Sequence, residues 1–265
     1  MNKANSLIRF SCISLFVLFM LLHKTAFAEI TSFDDAKKQI EGYTVELLKS
    51  PDNAKLYIFR GDVYFLIHAF ESAVEDYSAA IELDNSIDAA YFGRGLAYGR
   101  QGFINEGIKD LSHYIKRNPN NSLAYTKRGV RYLWLGDKES AFKDLNKAIS
   151  LNPKNAEAHD DLGVVLAQKG NYKEAIKHFQ ITIQIEPDYQ KGYHNIAMAY
   201  YVTENDELAL NAVNESLRLK PMARNSVLLK AKILSALGKN EEAAALEEDA
   251  AFMPEGEWSE EAAIR

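Results

Sequence analysis

Cysteine is almost missing from this sequence: Cys12 is the only one in 265 residues. A lone thiol closes no intramolecular disulfide, so the fold has to be held by its core, and no thiolate metal site can be assembled. Cys12 also lacks the Leu-x-Gly/Ala approach of a lipoprotein cleavage site, which argues against lipid attachment there. Long apolar runs are missing as well. The longest, Phe10 to Leu22, has 13 residues, short of the ~20 that a membrane-spanning helix requires. Excess positive charge is the third absence, with 31 Lys+Arg against 37 Asp+Glu and a net charge of -6. That balance argues against nucleic acid or an anionic membrane surface as the main ligand.

The apolar run sits in a recognisable frame. Lys3 and Arg9 precede it, and Ala26-Phe27-Ala28 follows with small residues at both positions a signal peptidase needs. Residues 1–28 therefore read as a secretory signal cleaved at about Ala28/Glu29, leaving no stable membrane insertion afterwards; the alternative is an uncleaved anchor. Either way the body of the chain is expected outside the cytoplasm, periplasmic or secreted, and a cysteine-free body suits a bacterial periplasm.

Proline is scarce, with 6 residues, but five of them keep step. Pro51, Pro119, Pro153, Pro187 and Pro221 fall on one 34-residue ladder, with Asn85 on its empty rung. Numbering repeats from Ala54, Asp88, Ser122, Ala156, Gln190 and Arg224, the eighth position reads Gly61, Gly95, Gly129, Gly163, Ala197, Ala231. The twentieth reads Ala73, Gly107, Ala141, Ala175, Ala209, Ala243. Large residues recur at the eleventh (Tyr64, Tyr98, Tyr132, Leu166, Tyr200, Leu234) and the twenty-fourth (Tyr77, Leu111, Leu145, Phe179, Val213), where Glu247 breaks the column. Small side chains let two helices approach, and large ones fill the space beside them. Gly102, Gly136, Gly170 and Gly238 occupy the turn between the helices, His68 and Glu204 take that place in the first and fifth repeats, and each proline closes the second helix.

This pattern resembles the tetratricopeptide repeat family, over Ala54 to about Met253. The resemblance implies an all-α, right-handed α-solenoid of six 34-residue helix-turn-helix repeats. Their bounds are 54–87, 88–121, 122–155, 156–189, 190–223 and 224–253. Residues 29–53 are expected to supply an N-terminal capping helix, amphipathic through Phe33, Ile40, Tyr43, Leu47 and Leu48. The second helix of the last repeat is acidic, with Glu241, Glu242, Glu247, Glu248 and Asp249, as an open solenoid end requires. Residues 254–265 form an acidic tail whose one large anchor is Trp258.

Chemistry is harder to find. No two of His68, His113, His159, His178 and His194 stand three or four residues apart with a third ligand nearby, so neither metal nor cofactor is expected. The cluster Gly93-Arg94-Gly95 with Gly99 and Gly102 is no phosphate loop, because it lies within a helix and its exit. Position 8 accounts for Gly95 and the turn for Gly102; Gly93 and Gly99 are left as marks of a partner's close approach or of a soft second repeat. Asp34-Asp35, Asp160-Asp161 and Glu241-Glu242 read as solvated faces, since adjacent helical residues point about 100° apart.

By the resemblance, the first helix of each repeat lines a concave groove through positions 2, 5, 6, 9, 12 and 13. Here those columns are rich in apolar residues, and Phe65, Phe92, Leu96, Val130, Trp134, Val164, Met198 and Tyr201 are the candidate contacts for a partner segment. Phe92, Val130, Trp134 and Tyr201 are the expected anchors. The same residues could equally be inter-repeat core or a homodimer face. The carboxylate clamp of chaperone-binding relatives is not expected, because its Lys and Asn at positions 5 and 9 are replaced by pairs such as Ile58/Asp62, Phe92/Leu96 and Thr126/Val130. The expectation is a non-catalytic interaction scaffold in the cell envelope, binding another protein or a peptide segment. A self-assembling structural module is the alternative, and an enzyme would need a convergent polar cluster.

Overall fold

A computed structural model of the chain describes residues 30 and 32–254. The expected signal at 1–28 and the tail from residue 255, including Trp258, lie outside the described residues. Among the described residues every regular element is a helix: α1 (Phe33–Lys49), α2 (Ala54–Leu66), α3 (Phe70–Leu83), α4 (Asp88–Arg100), α5 (Ile104–Arg117), α6 (Ser122–Trp134), α7 (Lys138–Leu151), α8 (Ala156–Gln168), α9 (Tyr172–Ile185), α10 (Gln190–Val202), α11 (Asp206–Leu219), α12 (Arg224–Ala236) and α13 (Asn240–Ala251). The array is an all-α solenoid in which α2/α3 through α12/α13 form six successive pairs. No described helix is long and apolar enough to cross a membrane.

Local chemistry sets the boundaries. Asn53, Asn121 and Asn155 cap α2, α6 and α8 through side-chain oxygens that accept from Lys55 N, Ala124 N and Ala158 N. Within each pair the chain turns through a left-handed residue: Gly102, Gly136, Gly170 and Gly238 have φ between +77° and +84°. His68 and Glu204, with φ of 63° and 58°, hold the same conformation against the penalty that a Cβ carries there.

Two kinds of contact hold the pairs. The first is steric: Gly163 on α8 lies under the ring of Phe179 on α9, and a Cβ at that glycine would stand 2.5 Å from the ring. The second is ionic and recurs at the repeat period. Arg60, Arg94 and Arg128, on the first helices, each grip the carboxylate of Asp76, Asp110 or Asp144 on the second with two N–H groups. The third guanidinium nitrogen donates to a hydroxyl on the preceding repeat or capping helix, from Thr44, Ser78 or Ser112. Two tyrosines of the same helix flank each guanidinium, as Tyr91 and Tyr98 flank Arg94 at 5.8 and 5.7 Å. This ladder couples neighbouring repeats as well as the two helices of one. In the fourth repeat the equivalent places hold His159, Leu162 and His178.

At the N-terminal end α1 packs on α2 with Ala36 and Leu47 buried, while Phe33 and Leu48 face solvent. Leu47 and Leu48 are adjacent on one helix, so only one of them can point inward.

Candidate partner-binding groove

Consecutive first helices (α2, α4, α6, α8, α10, α12) contact one another directly, whereas consecutive second helices are held apart. The array therefore curves with the first helices inside, and their outward faces make the groove floor.

Across its width the floor has two halves. Toward the N-terminal ends of α6, α8 and α10 lies a charged cluster of Lys127, Glu157, Asp160, Asp161 and Lys191, joined by the Asn195 amide. Toward the C-terminal ends lies an apolar half carrying Val130, Trp134, Met198 and Tyr201, all half-buried. The Arg131 guanidinium stands over the Trp134 ring at 5.1 Å. Phe65 is half-buried at the first repeat, edge-on to Phe70 at 5.3 Å.

The candidate contacts do not share one environment. Phe92 is 2% exposed and Val164 2% exposed. Phe92 packs on Tyr114 at 4.8 Å within a core of Leu111, Ile115 and Ala124, and Leu96 lies partly over that same core. Val164 is enclosed with Leu133, Leu162 and Val165. Both are inter-repeat core and out of a partner's reach; of the expected anchors Val130, Trp134 and Tyr201 are half-buried instead, as is the candidate contact Met198.

Asp160 and Asp161 are the larger correction, because they are buried, not a solvated face. Asp160 is 0% exposed and Asp161 5%. Residues of the next repeat enclose them: Lys191 Nζ lies 3.2 Å from Asp160 Oδ2 and 3.6 Å from Asp161 Oδ1, and Asn195 Nδ2 donates to Asp160 Oδ1 at 2.8 Å. Burial pushes the Asp161 carboxyl up to about 7, helped by the charges of Glu157 and Asp160 and opposed by Lys191 and Lys127. Burial alone would lower Lys191, but Asp160, Tyr189 and Asp161 outweigh it and hold the ammonium well above its ordinary value. Glu157 is taken by Lys127.

Gly93 and Gly99 now have a cause, and it is neither a partner nor softness. A Cβ on Gly93 would stand 2.5 Å from the Tyr77 ring of the first repeat. A Cβ on Gly99 would collide with the Arg131 guanidinium of the third. Arg131 is 4% exposed, and its terminal nitrogens donate to Lys127 O and Leu96 O at 3.3 and 3.2 Å. Burial lowers it to about 10. Each glycine is a seat for a large side chain from the adjacent repeat.

Two histidines distant in sequence meet on the fourth repeat: His159 Nδ1 lies 2.9 Å from His178 Nδ1. His159 Nε2 faces Pro153 O at 3.1 Å and must donate to it, so in the neutral ring Nδ1 is left to accept from His178 Nδ1–H. Burial holds both rings below the ordinary imidazole value, which favours the neutral forms. Among the described residues no group of three or more His, Cys, Asp or Glu is disposed to hold a metal ion.

A buried acid also lies in the first repeat. Tyr77 donates its hydroxyl to Asp62 Oδ1 at 2.7 Å, and burial raises that carboxyl to about 7. Between pH 4 and 7 the folded state therefore keeps a proton that the unfolded chain has lost, so this group makes stability fall as pH rises through that window and level off above it. Asp62→Asn should raise stability at pH 8 by about 2 kcal/mol, less than the full shift because an amide is also costly to bury. At pH 4 the gain should vanish. Thermal melts of both chains at the two pH values check this; equal gains at both would place the penalty elsewhere.

Comparison with protein families decides what the periodic helix pairs are. The TPR repeat model matches residues 61–102 and 129–170, and the tetratricopeptide repeat model matches 156–189. Over these residues the chain carries tetratricopeptide repeats. Solved structures with the same fold include a tetratricopeptide repeat protein from Parabacteroides merdae, 20% identical, with TM-score 0.70 over 87% of this chain and 91% of that one. They also include YrrB, described as a TPR protein with an unusual peptide-binding site, 24% identical, with TM-score 0.55 over 71% of this chain and 97% of that one. PilF of Pseudomonas aeruginosa is 17% identical, with TM-score 0.65 over 74% and 89%. No curated protein matches the chain. At these identities the structures show the tetratricopeptide fold alone.

Proposed function

We propose that this tetratricopeptide repeat protein is a non-catalytic adaptor that holds a segment of another protein along α6, α8 and α10. Proteins of this family generally mediate protein-protein interactions. The observation that carries the reading is the division of the groove floor, with half-buried Val130, Trp134, Met198 and Tyr201 along one side and a charged cluster along the other. Aromatic side chains of this kind dominate the energy of such interfaces. Catalysis would need a reachable nucleophile, and the contact of His194 Nδ1 with Ser226 Oγ at 2.9 Å is sealed in the core, with Ser226 1% exposed. The leader-like residues 1–28 support a site of action in the cell envelope.

The test is capture from envelope extract by residues 29–265, compared with a Trp134→Ala/Tyr201→Ala variant whose helicity and melting match the parent. The variant should lose partner affinity by tenfold or more, the cost of about 1.4 kcal/mol or more that hot-spot aromatics carry. Undiminished capture would move the binding face off the groove. A dimeric mass by light scattering, abolished by the same variant, would favour self-assembly.

A further inference from the structure

We propose that Asp160, Asp161 and Asn195 form a cation-accepting pocket in the groove floor, plugged in the free protein by Lys191, and that it receives a lysine or arginine side chain of the bound segment. This rests on the groove reading and adds the chemistry by which the partner is recognised.

The pocket spans two repeats, with the aspartates on α8 and Asn195 and Lys191 on α10. Asn195 is 2% exposed. Its amide is oriented by the bond from Nδ2 to Asp160 Oδ1, which leaves Oδ1, buried, without a hydrogen-bond donor. Asp161 Oδ2 is buried without a donor too. With Asp161 ionised, every unmet atom of this pocket is an acceptor, and buried acceptors without donors are costly. A ligand that improves the pocket must bring N–H groups.

Lys191 meets that demand only in part. Its distances of 3.2 and 3.6 Å exceed the roughly 2.7–2.9 Å of a strong charged hydrogen bond. Arg94 and Asp110, by contrast, meet at 2.7 Å. The Lys191 side chain is 29% exposed while Asp160 beside it is 0% exposed, so part of that flexible side chain reaches solvent and the aspartate does not. Of the other nearby cations, Lys127 pairs with Glu157, and Arg131 gives its terminal nitrogens to two carbonyl oxygens while its Nε, buried, has no acceptor. A guanidinium offers five donors in a planar fork, enough to serve both carboxylates and the amide oxygen once Lys191 swings aside. The half-buried Val130, Trp134, Met198 and Tyr201 on the other side of the floor would take the apolar neighbours of that basic residue.

A position-scanning library of acetylated, amidated decapeptides, read by fluorescence anisotropy on residues 29–265, tests this. Mixtures with Arg or Lys fixed should bind about tenfold tighter than those with Gln fixed, the scale of one interfacial charge pair. Lys191→Met, checked by circular dichroism to be folded, removes the internal competitor and should tighten the basic mixtures further. Asp161→Asn, which keeps the shape, should erase the basic preference and leave the apolar one. The proposal is overturned if Glu mixtures win, if Lys191→Met weakens the basic mixtures, or if charge makes no difference. An apolar preference that survives Trp134→Ala/Tyr201→Ala would sink the groove reading instead, and binding by no mixture would sink both.

Discussion

Asp110→Ala should cost the array about 3 kcal/mol of stability, the lower end of what breaking a buried ion pair costs. Asp110 accepts from Arg94 Nε at 2.7 Å and from Nη2 at 3.1 Å, and its side chain is 6% exposed. Removing it leaves a guanidinium held by the Ser78 hydroxyl and flanked by Tyr91 and Tyr98, but without a counter-charge. Arg94 is 18% exposed, so water reaches part of it, which keeps the cost from being larger. Arg94→Met/Asp110→Leu should recover most of the loss, because an apolar pair of similar volume needs no counter-charge. Urea denaturation of the three chains measures both effects. A loss below about 0.5 kcal/mol for Asp110→Ala would make the pair equivalent to a solvated surface bridge.

Phe179→Ala should cost about 3–5 kcal/mol, the range for emptying an aromatic site in a core. Phe179 is 2% exposed and packs with Leu162, Val165 and Ala175 in the large central cluster. Gly163 exists to seat that ring, so Gly163→Ala in the parent should overpack it and cost about 1–3 kcal/mol. In the Phe179→Ala background the same methyl enters emptied space, and its cost should shrink toward zero or change sign. Strict additivity of the two changes in thermal or urea melts would show that ring and glycine do not meet.

Much of this architecture is legible in the sequence because it is written at one period. Gly163 and Phe179 belong to columns of small and large residues, and Pro153 and Pro187 mark where second helices stop. The arginine ladder is written at the same period, as Arg60, Arg94 and Arg128 with Asp76, Asp110 and Asp144, but charged columns resemble solvated surface until packing closes over them. The groove is less legible, since what covers a residue comes from the next repeat. Asp160 and Asp161 are buried because Lys191 and Asn195 reach back over them from about one repeat further on. Phe92 sits in a column that faces the groove by position, yet Tyr114 behind it draws the ring into the core. Gly93 and Gly99 show only their helix-weakening cost in sequence, and the side chains that require them, Tyr77 and Arg131, come from the repeats on either side.

The central claim is that the inner face, not the outer one, carries the partner. Site-specific photo-crosslinking tests it most directly, with a benzophenone amino acid placed at Met198 on α10 or at Phe142, which is 37% exposed on α7. The groove account predicts a discrete adduct from position 198, lost in the Trp134→Ala/Tyr201→Ala chain, and none from position 142. An adduct from position 142 alone, or one from position 198 indifferent to the double substitution, would contradict it.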